Sequence, residues 1–529
     1  MSYFSLYFLL KTGLYYTHYI GFHWGWNFLL ALVCVLPIAQ PAHLSPARWS
    51  QLRTTVLTLA ALVLLYHDSH LPTPARVWSQ LGTLNGFSSA YMLELLGRVI
   101  QPTPLLALVA IVVVFRWLSR RIRFSTFAFA AILSVPLMHE QQPRQPDASA
   151  STLASPTANA TPGAALAGGD SNPQTQLQAF YTREGQRRLS FTTHGSPPAF
   201  DIILLHVCSL SWEDMDFVKE KNHPLFKRFD LVFSNFNSAA SYSGPASIRV
   251  LRGTCGQSPH AKLYENTDPQ CYVFPNLEKL GYRASGLLNH DGLFDKFADA
   301  LEQRTGLKGK LERPDGAPVA LRSFDGSPIY DDGALLSRWW KQREGRPSKG
   351  EALYYNSVSL HDGNRIPGNN SLNSLETYKP RMDKLMMDLD KFVSQLEASG
   401  RPIVLMLVPE HGASLRGDKI QISGMREIPS PGITLVPAAV KLIGLKRAEG
   451  ALPTVVAEPV SFFGLYSLLG DLLSDNPYLP NARPLTARLD KLERTPFVAE
   501  NDDVVVMRRS SGDYWIKSGD SAWAAYKTP

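Results

Sequence analysis

The chain has 529 residues, enough for two or three domains, and a formal net charge of +7 at pH 7. Residues 1–139 carry nine Lys or Arg and two Asp or Glu, so this apolar quarter holds the whole excess and the rest of the chain is balanced. A nucleic-acid-binding protein concentrates its positive charge on a folded domain, so this distribution excludes that class.

Five apolar stretches recur in residues 1–139, and each approaches spanning length once its flanks are included. Their recurrence argues against a cleaved signal peptide, although buried core helices remain an alternative for the first three. The sequence therefore predicts an N-terminal bundle of about five transmembrane helices, at roughly 4–21, 25–40, 54–67, 103–118 and 124–138.

The basic residues between these stretches set the predicted orientation, because cytoplasmic loops collect Lys and Arg. Four Arg cluster where the last two stretches meet, at positions 116, 120, 121 and 123, and Arg48 and Arg53 lie between the second and third. Placing both clusters inside predicts a multi-pass protein of a bacterial inner membrane, with everything after Met138 in the periplasm. The connection 68–102 then also lies outside, where the apolar spacing of 83–100 predicts an interfacial helix or a helix packed on the spans.

Residues 140–176 are rich in Ala, Ser, Pro, Thr, Gln and Gly and contain no aromatic residue. Such a segment buries too little surface to offset its chain entropy, so we predict a flexible tether. With 177–199 as a transition, the predicted organisation is a membrane domain (1–139), a linker (140–199) and an exported folded domain (200–529).

From about residue 200, strand and helix patterns alternate, with the best helix pattern over 373–399. This alternation predicts an α/β fold with a doubly wound, mostly parallel sheet covered on both faces. The C-terminal stretch 496–529 predicts a short β-hairpin. The strand candidates are Phe200–His206, Asp230–Phe236, Arg283–Asn289, Leu353–Leu360, Pro402–Val408 and Gly432–Val436.

Ligands of such sheets bind at the carboxyl ends of the strands, and the residues there form an unusual set. Cys208, His361 and the pair Glu410-His411 each follow a predicted strand, and Ser243 precedes a helix-like run. Cys, Glu and His fit a catalytic metal site with an open position, and a thiolate favours Zn²⁺ over Mg²⁺ or Ca²⁺. Ser243 would take the fourth position. Buried packing, a structural histidine and a solvated loop remain the alternative explanations.

The four cysteines separate into classes. Cys34 lies in a predicted span, whereas Cys255 and Cys271 lie close together in the exported domain, where oxidation is expected, and we predict a disulfide between them. Cys208 is then left as a free thiol in an oxidising compartment. A bound metal would protect it, which favours Cys208 as a ligand.

Four motifs carry a resemblance to a known family. Together with the predicted spans and tether, they resemble the lipid-dependent phosphoethanolamine transferases of the alkaline phosphatase superfamily, and most closely the cellulose phosphoethanolamine transferases of bacterial cellulose secretion systems. Lipid A-modifying relatives have a carboxylate in place of Cys208, a Thr nucleophile, and Asp in place of Glu410. The motifs are His206–Trp212, Asn235–Arg249, Ser359–Arg365 and Val408–Gly412.

The resemblance implies an alkaline-phosphatase-like fold and a residue-by-residue assignment of the site. Ser243 is the nucleophile, and Arg249 is a weaker candidate than Arg426 for offsetting phosphate charge. Arg249 also comes two residues late for a sulfatase motif. The implied zinc ligands are Cys208, Ser243, Glu410 and His411, and the implied supporting residues are Tyr242, His361 and Arg426.

The implied reaction transfers phosphoethanolamine from phosphatidylethanolamine to glucose O6 hydroxyls of cellulose through a covalent Ser243 intermediate. The inner membrane and other subunits of a cellulose secretion complex are the implied partners. A zinc phosphodiesterase or phosphatase using the same site and an inactive scaffold remain alternatives. No motif identifies the acceptor. The aromatic residues that either stack on sugars or pack the core are Trp339, Trp340, Tyr354 and Tyr355.

Overall fold

The computed structural model of the chain describes residues 2–17, 19–69, 78, 86–99, 102–139, 172–193, 200–346, 350–369, 373–448, 450–519 and 521–527. The chain divides into two compact units. The first consists of 1–77 and 96–164, and the second of 78–95 and 165–529. The second unit therefore includes a segment, 78–95, that the sequence places between two predicted spans. Residues 140–171 of the predicted tether lie outside the described residues.

The described N-terminal residues form helices at each predicted apolar stretch. Four of them share a core that includes Phe8, Leu57 and Ile132. Among the described residues, α3 alone is long and apolar enough to cross a membrane, and a second span is possible if α4 and α5, bent by 46°, count as one. Five spans therefore remain a prediction. The helices are α1 (Ser2–Tyr16), α2 (Trp24–Val35), α3 (Pro46–Asp68), α4 (Ser89–Val99), α5 (Pro102–Leu118) and α6 (Phe124–His139).

The second unit is built on an eight-stranded sheet of order β10-β2-β9-β8-β1-β7-β3-β4. Every neighbouring pair is parallel except those of β9, which runs antiparallel to β2 and β8. The strands of this sheet are β1 (Asp201–Val207), β2 (Leu231–Asn237), β3 (Arg283–Leu288), β4 (Leu311–Glu312), β7 (Glu351–Ser357), β8 (Ile403–Leu407), β9 (Leu435–Ile443) and β10 (Thr454–Val456). A separate antiparallel pair consists of β5 (Val319–Arg322) and β6 (Pro328–Tyr330).

Alternation along the strands builds a core on each face of the sheet. In β1, Ile202 and Leu204 join one core, and Ile203 and Leu205 join the other. Helices cover both cores, so the predicted α/β fold is confirmed, with a mixed rather than wholly parallel sheet. The helices are α7 (Pro173–Gln186), α8 (Trp212–Phe217), α9 (Ser243–Leu251), α10 (Val273–Lys279), α11 (Phe297–Arg304), α12 (Asp332–Glu344), α13 (Tyr378–Ala398), α14 (Pro431–Thr434), α15 (Phe462–Ser474) and α16 (Leu485–Arg488).

The predicted strand at Gly432–Val436 is wrong in type over most of its length. Pro431 opens the helical turn α14, as proline does at a first helical position, and strand β9 follows it. The apolar run of β9 is interrupted by Pro437, which lacks the N–H that a central strand donates. The structure accommodates it at a register shift, where Ser234 and Asn235 of β2 lie opposite Pro437.

The C-terminal hairpin is confirmed as β12 and β13 of a four-stranded antiparallel sheet. Leu177 and Phe180 of α7 pack against Val498 and Met507 of this sheet, so the end of the predicted linker is helical and partly buried. Its strands are β11 (Val498–Glu500), β12 (Val504–Arg508), β13 (Tyr514–Ser518) and β14 (Ala524–Tyr526).

Two predictions about individual side chains are decided by burial and bonding. The disulfide between Cys255 and Cys271 is present, and Cys34 and Cys208 are free. The core-packing explanation is correct for the aromatic residues considered for sugar stacking, because each is at most 3% exposed; they are Trp339, Trp340, Tyr354 and Tyr355.

Candidate active site

The strands bring distant residues together at one edge of the sheet. Cys208 directly follows β1, and Glu410 and His411 follow β8. Because β1 and β8 are parallel neighbours, their carboxyl ends coincide, and the Glu410 N–H donates to the carbonyl of Val207 at 2.8 Å. Ser243 is the first residue of α9, so its hydroxyl lies at the N-terminal end of a nine-residue helix.

The side-chain atoms of this group lie close together, and four of their six separations are between 3.4 and 3.8 Å. Cys208 Sγ lies 3.4 Å from Ser243 Oγ and 3.8 Å from His411 Nε2. His411 Nε2 lies 3.4 Å from Ser243 Oγ and 3.6 Å from Glu410 Oε2. Tetrahedral zinc, with bonds of about 2.0–2.3 Å, holds its ligand atoms about 3.3–3.6 Å apart. The four residues therefore fit a zinc ion.

The hydrogen bonds of the ligands leave the right atoms free. His411 Nδ1 donates to the Gly412 carbonyl at 2.9 Å, which leaves the Nε2 lone pair for a metal. Glu410 Oε1 accepts from Asn356, and Oε2 is buried without a hydrogen-bond partner among the described residues. A buried carboxylate oxygen in this state is costly, and a cation would compensate it.

Burial shifts the protonation equilibria of the group against charge. It raises the pKa of Glu410 to about 7, against the opposing effect of the nearby polar groups of Ser243 and Asn356. It also raises the pKa of the Cys208 thiol to about 12, with the charge of Glu410 as the next cause. Burial lowers the pKa of His411 well below its usual value. A divalent cation reverses this tendency for both acids.

Arg426 and Tyr242 lie beside the same group. The Arg426 guanidinium is 3.3 Å from His411 Nδ1 and 3.4 Å from the hydroxyl of Ser209. It also lies over the Tyr242 ring, 5.5 Å from its centroid, and the Tyr242 hydroxyl donates to Glu427 at 2.6 Å. The structure therefore brings a fixed positive charge next to the four candidate ligands.

His361 lies on the loop after β7. Its Nδ1 donates to the Asp362 carbonyl at 2.7 Å, which leaves Nε2 as the acceptor nitrogen. Burial, and then the charge of Arg426, lowers the pKa of His361 to about 4. The ring packs against Phe324 with centroids 5.3 Å apart. His361 is thus a neutral base at physiological pH.

Arg249 is not among the contacts of Ser243. Six residues along a helix correspond to about 9 Å of rise and about 120° of net rotation, so it points to another side of α9. Its Nη1 donates to the Ser258 carbonyl at 2.8 Å, and it lines a separate cavity with Glu184 and Gln257. The structure therefore gives no geometric support to the predicted contact between Arg249 and phosphate.

Two supporting residues were missed in the sequence. Asn356, a buried amide that follows the apolar run Ala352–Tyr355 in its strand, donates to Glu410. Asp214 accepts from the backbone N–H groups of Ala413 and Leu415 at 2.6 and 3.0 Å, and so fixes the turn after the histidine. An uncharged polar residue in an apolar strand was the available signal for Asn356, whereas nothing local marked Asp214.

A second group of potential ligands lies in the first unit, formed by His23, His67 and Asp68. There the Asp68 carboxylate is already neutralised by Lys11 at 2.7 Å and also accepts from Asn27 at 2.7 Å. This ion pair joins helices α1 and α3, so we interpret the group as a structural network that holds these helices together.

Comparison with known proteins identifies the family. Two family models match the chain, the "Cellulose biosynthesis protein BcsG N-terminal domain" over residues 4–137 and the C-terminal domain of the same name over residues 157–523. The chain is 34% identical to "Cellulose biosynthesis protein BcsG" of Escherichia coli K12 over 99% of this chain and 96% of that protein, and equally so to the protein of that name from Salmonella typhimurium. The chain belongs to the BcsG family. The resemblance drawn from the motifs is confirmed at this level.

More distant similarities extend the BcsG family comparison to solved structures. One is a protein of the alkaline phosphatase superfamily from Vibrio parahaemolyticus, with 12% identity, 68% of this chain and 89% of that chain covered, and a TM-score of 0.46. Another is the periplasmic domain of EptC from E. coli in complex with Zn, with 12% identity, 59% and 93% covered, and a TM-score of 0.42.

Proposed function

We propose that this BcsG family member is a zinc-dependent phosphoethanolamine transferase. It moves phosphoethanolamine from phosphatidylethanolamine to glucose O6 hydroxyls of secreted cellulose through a covalent Ser243 intermediate. The observation that carries the proposal is the close spacing of the four candidate ligand atoms, one of which is a hydroxyl at a helix N-terminus. The family's name, cellulose biosynthesis protein, supports a glucan as the acceptor.

Zinc would be held by Cys208, Ser243, Glu410 and His411. When bound, it supplies Lewis acidity that favours the Ser243 alkoxide and offsets phosphate charge. Ser243 Oγ attacks the lipid phosphorus as its hydroxyl proton is released, and the bond from phosphorus to the diacylglycerol oxygen breaks. That oxygen takes up one proton, so this half-reaction neither gains nor loses a proton overall. The product of this half-reaction is a phosphoethanolamine ester of Ser243.

The chain's own residues handle the charge and the proton of the second half-reaction. His361 Nε2 accepts the proton of the acceptor hydroxyl as that oxygen attacks phosphorus, and Ser243 regains a proton as its ester bond breaks. The Arg426 guanidinium, fixed beside His411, and the first backbone N–H groups of α9 compensate the phosphate oxygens. The Tyr242 ring orients the Arg426 guanidinium, which lies over it.

We further propose the setting of this reaction. Residues 1–139 are a multi-pass inner-membrane domain of about five spans, 140–199 a linker, and 200–529 the periplasmic catalytic domain. The donor then lies in the outer leaflet, and the other subunits of a cellulose secretion complex are the partners. The Cys255–Cys271 disulfide supports an oxidising compartment.

The test is mass analysis of the full chain in nanodiscs that contain headgroup-labelled phosphatidylethanolamine. We expect the labelled group on the peptide with Ser243, and its absence in Ser243→Ala. Ser247→Ala, one turn along the same helix, is the matched control and keeps the adduct. An adduct elsewhere, or modified cellulose from cells with only the Ser243→Ala protein, contradicts the proposal.

The alternatives leave different products. A phosphodiesterase or phosphatase forms the same adduct but releases free phosphoethanolamine to water with cellulose present. An inactive scaffold forms no adduct and retains no zinc after gentle purification. Solid-state NMR of cellulose from cells with the wild-type and Ser243→Ala proteins separates transfer from both.

A further inference from the structure

A short segment that the sequence places between α3 and α5 packs inside the second unit. Residues 86–95 contact the loop that follows β5, where the Ser88 N–H donates to the Phe324 carbonyl at 2.9 Å. The Phe87 and Phe324 rings pack edge to face with centroids 5.1 Å apart, and Tyr91 is 7% exposed. This segment is therefore part of the fold that carries the candidate site.

The polar side chains of this segment reach the loop that carries His361. We define the His361 loop as residues 358–369 and 373–377, between β7 and α13. The Tyr91 hydroxyl donates to Asp362 Oδ2 at 3.0 Å. Glu94 accepts from the Ser374 hydroxyl at 2.9 Å and forms an ion pair with Arg365. Two residues of one helical turn thus hold both ends of the His361 loop.

Contacts on two sides fix the backbone of residues 361–363, to which the His361 side chain is hydrogen-bonded. Arg381 of α13 donates to the His361 carbonyl at 3.1 Å from one side. On the other side, the Tyr91 ring covers Gly363, where a β-carbon would come within 2.9 Å of it; Gly363 also has a φ of +81°. The backbone carbonyl of Asp362, the residue between His361 and Gly363, accepts a hydrogen bond from His361 Nδ1. The position of Asp362 therefore sets the direction of His361 Nε2.

We propose that Tyr91 and Glu94 are positioning residues for His361, so that a helix inserted between two predicted membrane spans completes the active site. The inference rests on the proposed function only in taking His361 as the base. The hydrogen bonds and the ion pair described above go to the His361 loop, so we expect their loss to leave the candidate zinc ligands in place. It slows the step that needs His361 Nε2 in place.

The experiment uses the full chain in phosphatidylethanolamine nanodiscs with Tyr91→Phe and Glu94→Gln. We expect kcat to fall roughly ten- to hundredfold, the cost of a misplaced catalytic group, with the KM for lipid and the zinc content unchanged. Ser89→Ala, exposed on the same helix, is the control and keeps wild-type kcat. An unchanged kcat in both variants, or a loss of zinc, overturns the proposal.

A double-mutant cycle separates positioning from general structural support. In the His361→Ala background, Tyr91→Phe should cause no further fall in kcat, because its effect acts through the missing ring. A Tyr91→Phe effect that persists undiminished there overturns the proposal, as does a His361→Ala protein with wild-type kcat. Failure of the proposed function is seen separately, as absence of a Ser243 adduct in the wild-type protein.

Discussion

The hydroxyl of Ser243 lies 3.4 Å from Nε2 of His411, a residue 168 positions further along the chain. The same nitrogen lies 3.6 Å from Glu410 Oε2 and 3.8 Å from Cys208 Sγ, so it faces three possible ligand atoms at once. Such a group of similar separations is that of ligands around one tetrahedral ion. The pair is therefore better explained as half of a metal site than as a serine–histidine dyad.

His411→Ala should abolish zinc binding by the purified full chain. It removes a neutral nitrogen ligand and leaves the Glu410 carboxylate and the Cys208 thiol, each of which resists ionisation when buried alone. The measurement is metal content by mass spectrometry after dialysis. His43→Ala, an exposed histidine of the first unit, should retain the wild-type content. Equal zinc in both variants would falsify the ligand assignment.

Asn356→Ala should weaken zinc binding by about 10- to 100-fold, as loss of a group that orients a ligand does. The amide donates to Glu410 Oε1 and so aims Oε2 at the other ligands. Titration against a chelator of known affinity measures the change. Asn276→Ala, which removes a buried amide that donates to the Gln270 carbonyl, is the control. Unchanged zinc affinity in Asn356→Ala contradicts the role given to this hydrogen bond.

Lowering the pH should destabilise the second unit through His361. Its folded pKa of about 4 lies below the unfolded value of about 6.5, so the folded ring resists protonation and stability is lost as the pH falls through this window. At pH 5 the loss from this residue is about 2 kcal/mol. His361 should stay neutral, and therefore able to act as a base, down to about pH 5.

Melting temperatures at pH 7 and pH 5 measure this effect. His361→Gln, which does not titrate, should lose less stability between the two values than the wild-type protein. Identical losses in the two proteins would show that His361 does not carry the pH dependence.

The double variant Cys255→Ser with Cys271→Ser should be less stable by about 3 kcal/mol, because the disulfide spans 16 residues and restricts the unfolded chain. Thermal melting with and without a reducing agent measures it. The reductant should lower the melting temperature of the wild-type protein and leave that of the double variant unchanged. A wild-type protein indifferent to the reductant contradicts the prediction.

The sequence predicts the four candidate ligands because a parallel sheet collects strand ends at one edge, and strand ends are local signals. Cys208 and the pair Glu410-His411 follow buried apolar runs that only a strand explains. The structure places them within ligand distance, as the pattern indicates. The supporting residues are different, because their roles depend on contacts between distant parts of the chain.

Tyr91 illustrates this limit, since 271 residues separate it from its partner Asp362 and its own neighbourhood is apolar. The direction of β9 was also hidden. A proline in a central strand normally argues against that strand, and here a bulge in β2, far away in sequence, accommodates it. Patterns within one segment carry no information about such compensation.

The second unit contains Cys208, Cys255 and Cys271, and of their three possible pairings only the observed Cys255–Cys271 disulfide leaves Cys208 free as a candidate ligand. Cys208 is protected from oxidation once β1 is buried, because a buried thiol with a raised pKa does not take part in disulfide exchange. Before that point Cys208 competes with Cys255 for Cys271, although Cys255 lies only 16 residues from Cys271 and Cys208 is further away along the chain. The candidate site is therefore completed only if β1 is buried before Cys208 is oxidised, because a chain in which Cys208 pairs with Cys255 or Cys271 lacks one of the four candidate ligands.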